Sequence, residues 1–148
     1  IVGPDAKNEN DYVKEIKEQI ISKNLSQHIR LLGSRQDIPN IMSSLDVFLF
    51  TTRQEPFGMV ITEAMAAEVP VIASKVGGIP EIVSSENVGL LIESENSQAF
   101  SLALNSLVER PGVRRNIGIA SKKHVKELFD KSVIATQIDN IYTNLLGK

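Results

Sequence analysis

Four short apolar runs, Ile29–Leu32, Val47–Phe50, Val71–Ala73 and Gly89–Ile92, alternate along the chain with stretches of helical periodicity. Runs of four or so apolar residues, rich in β-branched side chains or Phe, predict strands buried on both faces. The intervening stretches predict helices over Asp11–Lys23, where Val13, Ile16 and Ile20 recur at three- and four-residue spacing, and over Ile38–Ser44, Gly58–Ala67 and the single turn Ile79–Val83. Three more follow the last strand: Ser97–Val108 with Ser97 as its N-cap, Val113–Phe129 after the Pro111-Gly112 break, and Ser132–Leu145. Strand–helix alternation of this kind predicts an α/β fold, a Rossmann-like parallel sheet with helices on both faces. Ligands then bind at the carboxyl ends of the strands, so functional residues are expected just after Leu32, Phe50, Ala73 and Ile92.

At 148 residues the chain is about one domain. Its opening, Ile1-Val2-Gly3-Pro4, reads as a strand end entering a loop and predicts a piece of a longer protein. Sixteen basic against eighteen acidic residues give a net charge of −2, which argues against a nucleic-acid partner. Five Phe, two Tyr and no Trp leave little for base stacking. The absence of Cys excludes disulfides, thiolate metal sites and a Cys nucleophile. No apolar run approaches a membrane span. The basic residues Arg110, Arg114, Arg115, Lys122, Lys123 and Lys126 are diluted by Glu109, Glu127 and Asp130 and predict a solvated helix face. His28 and His124 are far apart in sequence and predict surface or helix-end positions, not metal ligands.

The densest chemistry follows the second strand. Thr51–Pro56 is a polar loop, and Gly58 opens a helix. Gly lets a ligand approach the backbone, and the first N–H groups of a helix have no internal acceptor, so this helix start suits a phosphate. Glu55 lies in the loop and Glu63 in the helix, eight positions apart. Because Met59, Val60, Ile61, Ala64, Met65 and Ala66 surround it, Glu63 is expected in a largely buried helix, where a carboxylate needs partners such as the vicinal hydroxyls of a ribose. The plain alternatives are a solvent-facing Glu63 and a solvated loop acid at Glu55. With an anion site between them, the two acids suit the two ends of a phosphate-bridged ligand better than the two sides of one scissile bond. Gly77-Gly78 reads as a second phosphate-approach loop or, preferred here, as a tight turn before Pro80 and Glu81.

Glu55-Pro56-Phe57-Gly58 followed by Glu63-Ala64-Met65-Ala66 resembles the signature of the group 1 retaining glycosyltransferases, a Glu, seven residues and a second Glu. Asp46-Val47-Phe48, Pro70–Ser74, Gly77–Glu81 and Gly89-Leu90-Leu91 agree with the same family in order and spacing. The resemblance implies the C-terminal, donor-binding domain of the two-domain GT-B architecture. It implies that Glu63 holds the ribose of a nucleotide-sugar and that Glu55 contacts the transferred sugar. The N–H groups around Phe57, Gly58, Met59 and Val60 would serve the sugar and diphosphate, with Gly33 and Arg35 beside the base. It also implies no cofactor and no metal at the diphosphate. The enzyme would be cytoplasmic, at most peripheral at the inner membrane face through weak contact of the whole protein.

Three departures stand out. The family's phosphate-gripping Arg and Lys fall upstream of Ile1, and Arg53 and Lys75 do not match them. The N-terminal acceptor domain is absent from the chain. Both departures predict weak donor binding and no transfer by this chain alone. Glu68 replaces a usual Gly; if that turn is left-handed, Glu costs on the order of 1 kcal/mol there. The last helix resembles one that leans on the acceptor domain, which predicts partial exposure of Val133, Ile134, Ile138, Ile141 and Leu145. A nucleotide-sugar epimerase and a non-catalytic Rossmann-like interaction module are the competing readings.

Overall fold

A computed structural model describes residues 1–3 and 11–147. The chain forms two compact units, Ile1–Ile38 and Pro39–Lys148. Pro4, part of the predicted opening loop, lies outside the described residues.

In the first unit, α1 spans Asp11–Ser22 and buries Ile20, with Val13 and Ile16 half-buried on the same stripe. It ends at Asn24, whose left-handed backbone (φ 55°) suits Asn after a helix. The predicted strand Ile29–Leu32 is not a strand. The segment makes a few backbone bonds to the chain start: Leu32 N–H donates to Ile1 O at 2.9 Å, and Gly3 N–H to Gly33 O at 3.0 Å. With the Ile1 N-terminus donating to Arg30 O at 2.8 Å there are three such bonds, an extended pairing of the kind an apolar run favours but too short to form a strand.

In the second unit α2 (Ile38–Ser43), which starts at the boundary, leads to β1 (Phe48–Phe50), α3 (Met59–Ala66), β2 (Val71–Ser74), α4 (Ile79–Ile82) and β3 (Leu90–Ile92). The three strands are parallel in the order β1-β2-β3, with Leu49 opposite Ile72 and Ile72 opposite Leu90. The central strand is buried throughout, as its unbroken apolar sequence requires. Side chains alternate across it. Ile72 packs with Phe100, Leu107 and Ile117 of the two helices that follow β3. Val71 and Ala73 point to the other face, and α3 packs on β1 and β2 with Ile61, Ala64 and Met65 buried.

The C-terminal helices are α5 (Ser97–Glu109), α6 (Pro111–Phe129) and α7 (Lys131–Leu146). Ser97 is not the cap of α5. Asn96 is, its side chain accepting from Ala99 N at 3.0 Å. Pro111 does not merely separate two helices; it occupies the first turn of α6, where no N–H is needed. Arg114 closes the α5–α6 corner, donating to the Leu107 and Val108 carbonyls at 3.1 and 3.3 Å and pairing with Asp46. The basic residues of α6 are thus not all solvated: Arg114 is a corner staple, and Lys122 pairs with Glu68 at 2.8 Å.

The α3–β2 turn is left-handed at Glu68 (φ 62°), as the departure from Gly anticipated. Gly118 of α6 sits directly over it; a Cβ there would overlap the Glu68 carbonyl oxygen. Among its described residues α7 has no buried side chain, and Ile141 and Leu145 are 57% and 76% exposed, in line with the expected partial exposure.

Candidate functional site

The loop after β1 is built by short polar contacts. Thr52 Oγ1 donates to Gln54 O at 2.8 Å and accepts from Gln54 N. Ser94, just after β3, donates to Thr52 O at 3.4 Å. Arg53 and Lys75 meet acids from the same segment, Arg53 with Glu95 at 2.9 Å and Lys75 with Glu93 at 3.2 Å. The carboxyl ends of all three strands are therefore tied together, and the residues after Ile92 act here by pairing cations.

Glu55 is half-buried, and its carboxylate accepts from Phe57 N–H at 3.4 Å. Gly77-Gly78 explains why the loop holds its shape. Gly77 (φ 52°) lies so close that a Cβ would collide with the Glu55 carbonyl oxygen, and Gly78 N–H donates to Pro56 O at 3.2 Å. These glycines form the preferred tight turn, and the turn is a clamp on the Glu55 loop. Gly58 is buried, with φ 103° that an L side chain rarely adopts, and it caps α3 without any side-chain bond. The N–H groups of Met59 and Val60, in the first turn, have no acceptor within the helix and open toward an incoming group.

The expectation of a buried Glu63 fails. Met59, Glu63 and Ala66 recur at helical spacing on an exposed face of α3, so Glu63 pays no desolvation that a partner must offset. Burial therefore gives no reason for a ligand at Glu63; its place in the second turn of a helix with an open N-terminus does. Glu55 and Glu63 open on different hollows. Glu55 lines a cavity of about 500 Å³ with Arg53, Gln54 and Gly77. Glu63 lines a groove of about 460 Å³ with Ala66, Val125, Lys126 and Phe129.

The second unit thus brings together Glu55, Phe57, Gly58, Met59, Val60 and Glu63. Gly33 and Arg35 belong to the first unit. Gly33 is buried with φ 64°. Arg35 is exposed and forks onto Asp37, with Nε and Nη2 at 2.8 and 2.7 Å from its two oxygens. That hydrogen bonding holds the Asp37 carboxyl below the usual carboxylate range and raises the Arg35 guanidinium.

Two side chains had no signal in the sequence. His124, expected at the surface or at a helix end, is half-buried near the C-terminal end of α6; its Nε2 lies 3.0 Å from Ile82 O. Phe129, the last residue of α6, meets the Phe57 ring edge-on at 6.0 Å. Both contacts join residues more than forty positions apart, which no local pattern encodes. Among the described residues no group of three or more His, Asp or Glu converges as a metal site would, and no helix is long and apolar enough to cross a membrane.

In parallel α/β folds ligands bind at the carboxyl ends of the strands, and a helix start there suits an anion. The family model for glycosyl transferases group 1 matches residues 1–124. The chain belongs to that family, and its fold is that of the C-terminal domain of the GT-B enzymes. It is 39% identical over 120 residues to the alpha-maltose-1-phosphate synthase of Mycolicibacterium smegmatis, covering 77% of this chain and 31% of that protein. It superposes on the Anabaena protein HepE in complex with UDP with a TM-score of 0.91 at 35% identity, covering 97% of this chain and 40% of that one. It also resembles the C-terminal domain of a group 1 glycosyl transferase from Francisella tularensis, with a TM-score of 0.78, 27% identity, and coverage of 85% of this chain and 66% of that one. The chain spans about a third of the length of the curated relatives it matches.

Proposed function

We propose that this chain is the donor-binding domain of a glycosyltransferase that transfers a glycosyl group from a nucleotide-sugar with retention. Glu63 holds the ribose hydroxyls and Glu55 those of the transferred sugar. The N–H groups of Phe57, Gly58, Met59 and Val60 receive the sugar and diphosphate. Gly33 and Arg35 stand at the base. The diphosphate leaves as an anion, and fixed dipoles at a helix start stabilise that charge as it develops, with no metal required. The acceptor binds on a second domain outside this chain. The whole enzyme works in the cytoplasm, at most touching the inner membrane face, in the building of a cell-envelope polysaccharide.

The single observation that carries this reading is the open, Gly58-capped start of α3 between Glu55 and Glu63. Separate hollows for the two acids suit a ligand that passes from one to the other across the helix start. The Anabaena neighbour, at 34% identity and a TM-score of 0.88, has been solved with UDP-glucose.

Thermal shift with UDP, GDP and ADP, run beside Glu63→Ala, tests it. A ligand bound only by the folded protein raises stability by RT ln(1 + [L]/Kd), so ten times Kd adds about 1.4 kcal/mol. One nucleotide is expected to shift the melting temperature, and Glu63→Ala to remove most of that shift. Equal affinity in the variant rules out the ribose role.

A further inference from the structure

Phe129 is the side chain shared by the two glutamate regions. It lines the groove that holds Glu63, and its ring meets Phe57 edge-on, with centroids 6.0 Å apart and planes at 70°. Phe57 is two residues past Glu55, and its N–H is the donor to the Glu55 carboxylate. Phe129 is braced from behind. His124 packs on it at 6.4 Å and 64°, and His124 itself reaches the Ile82 carbonyl and lies 3.5 Å from Ser84 Oγ. The Gly77-Gly78 turn fixes the backbone of the Glu55–Pro56 segment from another side. That clamp reaches along the backbone to the Phe57 carbonyl oxygen but does not touch the Phe57 ring. Phe57 is 41% exposed, and among the described residues its ring contact is with Phe129.

We propose that Phe129 is a positioning residue for the donor site. Through the Phe57 ring it fixes the Pro56–Phe57 and Phe57–Gly58 peptides, and with them the Phe57 N–H that holds the Glu55 carboxylate and the Gly58 N–H that faces the diphosphate. Aromatic edge-to-face pairs add directional attraction to simple burial. A site held by packing keeps its donors in place before the ligand arrives, which is what preorganisation requires. The proposal rests on the donor-site reading above. It assigns Phe129 no contact with the ligand.

The test uses the whole protein and compares by calorimetry a nucleoside diphosphate with its monophosphate, UDP with UMP, or the GDP or ADP pair if that base gives the thermal shift. In Phe129→Ala, UDP is expected to bind about fivefold more weakly. UMP leans on Glu63 and lacks the second phosphate, so its affinity is expected to stay within about twofold. Phe129→Leu, which fills the groove but lacks the ring edge, is expected to fold as the unmodified protein does and to recover part of the UDP affinity. Phe57→Ala is expected to match Phe129→Ala, and the double variant to be no worse than either, since both remove one contact. Leu107→Ala, in the core on the other side of the sheet, serves as the control that destabilises without touching UDP. Unchanged UDP binding in Phe129→Ala, equal losses for UDP and UMP, or additive losses in the double variant would each overturn the proposal. Nucleoside diphosphate binding that survives Glu63→Ala unchanged, or binding of none of UDP, GDP and ADP by the unmodified protein, overturns the donor-site reading and this proposal with it.

Discussion

Glu68 occupies a left-handed backbone that an L side chain adopts at a cost of roughly 1 kcal/mol. Its carboxylate pairs with Lys122 at 2.8 Å, but both side chains are about half exposed, so the pair contributes only about 0–1 kcal/mol. The two effects nearly cancel in the native chain, and substitutions separate them. Glu68→Ala loses the ion pair and keeps the strain; Glu68→Gly loses the pair and relieves the strain. Glu68→Gly is expected to be more stable than Glu68→Ala by about 1 kcal/mol in urea denaturation. The reverse order would mean that the turn does not need its left-handed backbone. At the same scale, the identities of Glu55 and Glu63 were plain in the sequence, but their surroundings were not. An almost wholly apolar neighbourhood in sequence suggested burial for Glu63, whereas helical spacing puts Met59, Glu63 and Ala66 together on a face left exposed among the described residues.

Helix α6 is the element whose role was least legible. Its sequence shows a moderate apolar stripe and a run of cations, which reads as a surface helix. Instead it packs on α3 and α5 and carries three separate fixtures: Arg114 at the α5 corner, Gly118 over Glu68, and the His124–Phe129 end against α4 and the donor loop. Gly118 matters because the opposing atom is a backbone carbonyl, which cannot rotate away. Gly118→Ala should therefore push α6 off the α3–β2 turn and cost about 1–3 kcal/mol, despite the better helix propensity of Ala. A variant as stable as the native chain would show that α6 can slide. The α6–α7 junction has a pH signature. Asp130 caps α7, and hydrogen bonds from Ser132, first from its hydroxyl and then from its backbone N–H, hold the Asp130 carboxyl below the usual range. A carboxyl depressed on folding contributes stability above its unfolded pKa and loses it as pH falls through the folded value. The helical signal of α7 should accordingly weaken in acid, and Asp130→Asn, which keeps a capping acceptor without a titrating group, should flatten that dependence in circular dichroism.

Across the molecule, the sequence alone determined the parallel α/β class, the seven helices of the described residues to within two residues at either end, and the helix start at Gly58. Those features follow from spacing of two or three and a half residues along one segment, and from glycine and proline at fixed offsets. The tertiary structure decided the rest. Ile29–Leu32 has strand composition, but a ladder needs a partner of matching length, and the bonds to Ile1 and Gly3 are too few. Gly77-Gly78 reads as a turn in either case; that the turn clamps Glu55 depends on two loops from neighbouring strands meeting at the carboxyl end of the sheet. His124 and Phe129 carry no local mark of function, because their roles exist only once α6 crosses beneath α3 and brings its last turn against Phe57. A repeating pattern along the chain records which face of an element is apolar, while the choice of partner for that face is a property of elements distant in sequence, fixed only when they pack.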